Sequence, residues 1–452
     1  MRLSATLSLL LVAAAALRAE APSLQGTLPE DLMPGLSPLL KDAVERSPST
    51  ISASISLAVA EANRYGSASA LWPHVSGNVG YQVSTESISK GQDSTAKGLT
   101  YGLNIGQPIF QWGAFRNQKI IGDLTAKIAE KQFGEAYRLL AVAIREQYMG
   151  LIGKRIALRN SRFNLKLSQE AFTAQQARFD AGSSSQADLG NFRMSVEQAQ
   201  LDADGIEESF EYSKRIFTRL VGIADLADDS IPLELPHPTY APGLADTVLT
   251  GFVGEGIEST FQSEMYQMEL KQNDLNYKIA SVNLLPKVSA GANISYSNQS
   301  SVSESSISQV AVLQRSYNIS AAWSIFDGFA TRGQKLSALA SRRLTERARQ
   351  SYIDSSVDQI SDMRKQLGFA SRAMSIAEVH NALIASEVKR LGEDKNLGYA
   401  SQATVESGLL NLYATEFNMA FARSEYLSRW SEFISLAGID PALANLSSRY
   451  AR

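Results

Sequence analysis

The sequence predicts a mainly α-helical chain with a minority of membrane-type β-strands, built from two copies of one unit. Three observations carry this. The chain repeats itself at one offset: Tyr101-Gly102-Leu103-Asn104-Ile105 returns as Tyr317-Asn318-Ile319-Ser320-Ala321, and Ile109-Phe110 as Ile325-Phe326. Likewise Gly182-Ser183-Ser184-Ser185-Gln186-Ala187 returns as Gly398-Tyr399-Ala400-Ser401-Gln402-Ala403, each 216 residues on (317 − 101 = 216). A period that long marks one large unit duplicated, unlike the short period of a solenoid. Each copy contains runs of strict apolar/polar alternation, a strand signal. Each also contains a long proline-free run with a three-and-four step, a helical signal.

The chain has 452 residues, a net charge of −3 and no cysteine. The balance implies no basic face for nucleic acid. The missing thiols exclude disulfides and a lipid anchor on an N-terminal cysteine. Met1-Arg2 followed by the apolar run Leu3 to Ala16 reads as a signal peptide, residues 1–19. No later stretch supplies the roughly 20 apolar residues of a spanning helix, so any membrane contact must be made by strands.

In the first repeat, residues 20–223, Ser47-Pro48 predicts a helix start, with the helix running to about Ala70. A strand hairpin follows over 74–110. Val75, Val79, Tyr81 and Val83 alternate with Ser76, Asn78, Gly80 and Gln82, and Leu99 to Ile105 alternates again beyond a polar loop from Thr85 to Gly98. A long helix is expected from about Arg116 to Asp180, a tip at 180–186, and a return helix from about Ser184 to Val221. The prolines 232, 236, 238 and 242 make 224–243 a connector outside the helices. The second repeat, residues 244–439, is expected to follow the same plan. Its helix runs to Leu284, its hairpin covers 287–326 with strands 287–297 and 315–326 and a polar loop from Ser300 to Gln314. A long helix from about Arg332, a tip at 394–402 and a return helix to Leu436 complete it, and a tail follows over 440–452.

Each hairpin has one polar face of Ser, Gly, Asn and Gln and one apolar face of Val, Leu, Ile, Tyr and Trp. The first suits a water-filled lining and the second suits lipid. Four strands are too few to close a barrel, and open edges are not tolerated in lipid, so chains would have to assemble until the sheet closes. Three chains would supply twelve strands.

The Gln107-Pro108-Ile109-Phe110 and Ser324-Ile325-Phe326-Asp327-Gly328 blocks, the Arg178-Phe179-Asp180-Ala181-Gly182-Ser183-Ser184-Ser185 turn and the whole layout resemble the TolC-like outer-membrane efflux proteins. The resemblance implies a homotrimer with a twelve-stranded β-barrel on a long α-helical, coiled-coil-like tunnel in the outer membrane of a diderm bacterium, with a large periplasmic portion. It implies docking to a periplasmic adaptor (membrane fusion protein) and, through it, to an inner-membrane transporter of resistance-nodulation-division, ABC or major-facilitator type. It also implies contact with outer-membrane lipid, no nucleic acid, no cofactor and no catalysis. The duct would serve a tripartite efflux pump or type I secretion system. In such proteins small residues at the helix turns admit an adaptor hairpin. Arg178, Gly182, Ser185, Gly398 and Ser401 match those positions, although glycine and serine are also ordinary turn and cap residues. Where relatives carry an acidic ring at the periplasmic entrance, this chain has Asp188, Thr404, Glu406 and Ser407, so closure mainly by helix packing is expected.

Catalytic signals are thin. His74, His237 and His380 are scattered without a metal-site spacing. Gly251 to Gly256 is glycine-rich but follows no strand and lacks a phosphate-binding lysine, and reads as a helix break. Asp202/Asp204 and Glu207/Glu208 read as solvated helix faces. The competing reading is a trimeric coiled-coil surface protein without transport activity. It accounts for the heptads but not for four alternating strands placed between helices.

Overall fold

The computed structural model describes residues 27–87, 94–239, 242–303 and 306–446. The expected signal peptide and residues 447–452 of the tail lie outside them. The elements are α1 (Pro29–Leu32), α2 (Leu36–Arg46), α3 (Pro48–Ala68), β1 (His74–Glu86), β2 (Ser94–Phe110), α4 (Ala114–Asp180) and α5 (Gln186–Val221). There follow α6 (Pro242–Gly254), α7 (Phe261–Ser281), β3 (Lys287–Ser303), β4 (Ser306–Ala322), α8 (Ala330–Asn396) and α9 (Gln402–Leu436). α4 and α8 each have 67 residues, and at 1.5 Å per residue each rises about 100 Å. Their first residues, 114 and 330, stand 216 apart, as do the first residues of α5 and α9, 186 and 402. Among the described residues no helix is long and apolar enough to cross a membrane.

The chain divides into two compact units. One holds residues 53–132 and 261–352, and with them all four strands. The strands form one antiparallel sheet in the order β1-β2-β3-β4. Its register aligns Val79 with Tyr101, Tyr101 with Tyr296, and Tyr296 with Leu313. Several strand boundaries differ from expectation. The segments read as polar loops, Thr85 to Gly98 and Ser300 to Gln314, are entered by the strands from both sides: β1 runs to Glu86, β2 begins at Ser94, β3 runs to Ser303 and β4 begins at Ser306, while 88–93 and 304–305 lie outside the described residues. Serine and glutamine lack the apolar alternation that announces a strand, yet the ladder continues because each neighbouring backbone supplies partners. β4 ends at Ala322 rather than 326, because its partner strand begins at Lys287 and the preceding Pro286 has no N–H to give. Within this unit α3 and α4 pass closely at Gly122, where a Cβ would lie 2.5 Å from the Ser67 Cβ.

The other unit holds the described residues up to Ser52, then 133–260 and 353–446. Its core includes Leu36, Leu40, Tyr137, Ile144, Phe217, Trp430, Phe433 and Ile434, all buried. α1 and α2 were not expected. Leu36, Leu40 and Ala43 form the buried stripe of α2, and the Tyr137 hydroxyl donates to the Leu40 carbonyl at 3.0 Å. α5 stops at Gly222, whose φ of 86° is left-handed and favours glycine. The connector has no α-helix between Gly222 and residue 239, consistent with its prolines, but it is anchored: Ile231 and Leu235 are buried, and Arg423 donates to the Leu235 carbonyl at 2.6 Å. Its last expected residues already belong to α6, because Pro242 takes the first helical position. The glycine-rich run is a break, with α6 ending at Gly254 and a 3-10 turn over Gly256–Ser259.

Candidate functional site

The register sorts the sheet into two chemically distinct faces. Asn78, Asn104, Asn293 and Asn318, one per strand, lie on the same face as Ser76, Thr100, Ser295, Ser316 and Ser320. Asn104 Nδ2 donates to Asn78 Oδ1 at 3.3 Å, and Asn293 Nδ2 donates to Asn104 Oδ1. The result is an amide ladder across three strands. Gly291 leaves room for the fourth asparagine, since a Cβ there would lie 2.6 Å from Asn318 Oδ1. The opposite face carries Val75, Val79, Tyr81, Leu99, Tyr101, Leu103, Ile105, Ile294, Tyr296, Leu313, Tyr317 and Ile319. Tyr101 and Tyr296 stack across strands at 4.9 Å. Val79, Tyr317 and Ile319 are 79%, 78% and 77% exposed in the protomer. A contiguous apolar face of this kind marks a contact surface rather than a solvated one. Lys97 and Arg315 interrupt it, and their long stems allow the charge to reach a polar boundary.

Where the strands meet the helices, exposed aromatics collect: Trp72, Phe110, Trp112, Trp323, Phe326 and Phe329. The indole N–H groups of Trp112 and Trp323 donate to the carbonyls of Pro286 at 2.8 Å and Leu284 at 2.9 Å. Trp112-Gly113 and Gly328-Phe329 both take positive φ at the strand-to-helix turn. The two copies thus use one unusual turn with the glycine on opposite sides. Tolerating Trp and Phe in that region costs backbone energy that a required aromatic position would justify.

The helix tips show what the singled-out residues do locally. Gly182 and Gly398 have φ of 72° and 84° and end α4 and α8. The Ser183 and Tyr399 amides donate back to the carbonyls of Arg178 and Asp394 at 2.9 and 2.8 Å. Ser185 caps α5 by accepting from the Asp188 amide at 3.1 Å, and the Asp188 carboxylate returns a 2.6 Å contact to the Ser185 hydroxyl. Ser401 caps α9 in the same way, accepting from the Thr404 amide at 3.1 Å. Thus Arg178, Gly182, Ser185 and Asp188 come together at one tip, and Gly398, Ser401 and Thr404 at the other. Glu406 accepts from Gln402 Nε2. Thr404 and Ser407 line a cavity of about 680 Å³ between α8 and α9, with Val388, Leu391 and Gly408. The two tips differ in their exposed apolar surface. Leu397 and Tyr399 are 68% and 83% exposed, where the first copy has Ala181 and Ser183 at the same offset.

His237 is not free. Its Nδ1 lies 2.7 Å from Glu378 Oε1, which also accepts from Arg423 Nε at 2.8 Å. Burial pushes the Glu378 carboxyl up, but the hydrogen bonds from His237 and Arg423 outweigh it and hold it below the ordinary range. Asp202 and Asp204 accept from Gln198 and Gln200 one helical turn earlier, and Glu207 pairs with Arg162. These are helix-surface contacts.

Residues 39–210 match the model of the outer membrane efflux protein family. No curated protein matches the sequence. Among solved structures, the chain is similar to the CmeC outer membrane channel of Campylobacter jejuni, at 14% identity over 96% of this chain and 95% of that one, with a TM-score of 0.69. It is similar to the outer membrane protein VceC of Vibrio cholerae at 16% identity, 92% and 100% coverage and a TM-score of 0.64. The open state of the MtrE outer membrane channel of Neisseria gonorrhoeae gives 14%, 90% and 89%, and 0.66. At these identities the likeness is one of fold.

Proposed function

We propose that this chain, a TolC-like outer-membrane efflux protein by its residues 39–210 and by its fold, is the outer-membrane exit duct of a tripartite efflux pump or type I secretion system. The two-faced sheet carries the reading. One face is a hydrogen-bonded amide and hydroxyl surface, the other an exposed apolar surface, and both edges, β1 and β4, are open. A lone sheet of this kind is unstable in water and in lipid alike, because lipid tolerates no unpaired edge. Closure by three copies gives a twelve-stranded barrel, lipid outside and water inside. The junction aromatics then sit where the hydrocarbon meets the headgroups.

In this reading the duplicated plan is two structural repeats, and the paired 67-residue helices build a periplasmic tunnel. Transport is passive, and the energy comes from an inner-membrane transporter reached through a periplasmic adaptor. Gly182, Ser185, Gly398 and Ser401 at the tips, with Arg178, are the adaptor contacts, and Asp188, Thr404, Glu406 and Ser407 line the entrance. The capping bonds support the tip assignment by rigidifying the turns that would be presented. Deletion of the gene should raise intracellular accumulation of an exported dye or abolish secretion of a partner substrate, and the intact chain should restore the loss. Normal export and secretion in the deletion strain would defeat the proposal.

A further inference from the structure

The two open edges of the sheet, β1 and β4, carry the information for one pairing register. Inside the sheet two cross-strand pairings recur. On the polar face an asparagine stands directly opposite a glycine: Asn78 opposite Gly102, and Asn318 opposite Gly291. A Cβ on Gly102 would lie 3.1 Å from Asn78 Oδ1, and one on Gly291 2.6 Å from Asn318 Oδ1, so the glycine gives the amide its room. Asn104 sits two residues beyond Gly102 and bonds Asn78 at 3.3 Å. On the apolar face Tyr101 stands directly opposite Tyr296, and the rings stack. Such aromatic pairs stabilise a sheet when directly opposite.

Each edge holds one half of both pairings. Gly80 is the only polar-face glycine on either edge strand, and Tyr81 follows it. Asn318 stands on the polar face of β4, and Tyr317 precedes it. Tyr81 and Tyr317 are 68% and 78% exposed. Because antiparallel strands run in opposite directions, setting Asn318 against Gly80 also sets Tyr317 against Tyr81.

We propose that β4 of one copy pairs with β1 of the next in this register, Asn318 opposite Gly80 and Tyr317 opposite Tyr81. The proposal rests on the duct reading and adds the register of its seam. Asn78 of the next copy then lies two residues beyond Gly80, as Asn104 lies beyond Gly102, and the amide ladder continues from copy to copy. Barrel geometry agrees. Ser76, Asn104, Asn293 and Ser316 stand opposite one another in turn, and across the seam Ser316 meets Gln82, six residues further along β1 than Ser76 (82 − 76 = 6). Six residues at ~3.3 Å against four strands at ~4.8 Å give a tilt of about 46°. Outer-membrane barrels tilt by roughly 35–45°. A slip that sets Ser316 against Ser84 raises the tilt to about 54°. The opposite slip, against Gly80, gives about 35° but splits the tyrosine pair and places Arg315 against Tyr81.

The chain has no cysteine, so introduced thiols report the seam without background. Residues directly opposite in antiparallel strands lie about 4.5–5.5 Å apart at Cα and can form a disulfide, whereas a two-residue slip separates them by about 8 Å or more, beyond its reach. In the full chain, S316C is combined in turn with G80C, Q82C and S84C, and isolated membranes are oxidised and run on denaturing gels. Oxidant is raised until a control pair within one copy, S295C/Q314C, is closed; these residues stand directly opposite in β3 and β4. Q82C/S316C is expected to give a covalent trimer that reductant dissolves, and the other two pairs to remain monomeric. A covalent trimer from G80C/S316C or S84C/S316C instead overturns the register and leaves the duct standing. If none of the three pairs links, the edges do not meet, and the duct reading falls with the proposal. If Q82C/S316C fails to accumulate, V79C/I319C reads the same register from the apolar face, and its failure to link decides against the proposal.

Discussion

Arg145 donates to both carboxylate oxygens of Asp440, at 2.6 and 2.8 Å, across 295 residues of chain. It also donates to both oxygens of Glu30, at 2.8 and 2.5 Å, and to the Ser431 hydroxyl at 3.0 Å. The guanidinium is wholly buried; burial opposes its charge, and the two carboxylates outweigh that and raise its pKa. One side chain of α4 thereby ties together α1, α9 and the 3-10 turn over Pro441–Asn445, all within the helical unit. Arg145→Ala should cost about 3–5 kcal/mol, because it leaves Asp440 buried without its counter-charge. Urea unfolding followed by circular dichroism measures this, and a loss under about 1 kcal/mol would show that the cluster is not the clamp described.

Gly222→Ala should be similarly damaging for a different reason. A Cβ at that position would lie 2.0 Å from the Arg46 carbonyl oxygen, and the left-handed backbone resists any side chain. A loss of about 2 kcal/mol or more is expected in the same unfolding experiment. Gly150→Ala, with open space around it, should be neutral or slightly stabilising.

The Glu378 cluster gives a pH dependence. Its carboxyl is held below the ordinary range, so its contribution is present above the unfolded-state pKa of about 4.3 and is lost as pH falls through the depressed folded-state value. Glu378→Gln should therefore destabilise the protein at pH 7, by about 1–3 kcal/mol, and by progressively less in acid. Thermal melts of both proteins across pH 3 to 7 check the convergence.

The two caps should act locally. Ser185→Ala and Ser401→Ala each remove a side-chain acceptor for the amide three residues on, a loss of about 0.5–2 kcal/mol. Hydrogen exchange should quicken in the first turns of α5 and α9 while the buried core around Trp430 keeps its protection. Uniform acceleration would mean that the tips are not independent of the core.

Local periodicity announced the long helices, and Gly182, Ser185, Gly398 and Ser401 marked their ends, because caps and left-handed turns depend on neighbouring residues. Strand alternation located the sheet and its two faces but lost its ends in serine-rich stretches, where backbone pairing continues without an apolar signature. α2 has its signal in the spacing of Leu36, Leu40 and Ala43, but it is only eleven residues long and so offers a short periodic window. The Arg145 cluster had no local signal at all, since its carboxylates stand 115 and 295 residues away. The asparagine ladder was visible as polar alternation, but its continuity needed the register that sets Asn104 against Asn293.

The central claim is that copies of this sheet close around water. Single-channel recording of the purified, trimeric protein in planar bilayers tests it most directly. Long-lived conductance steps, small while the helical entrance is closed, are the predicted result. A folded trimer that enters the bilayer and passes no current would contradict the account.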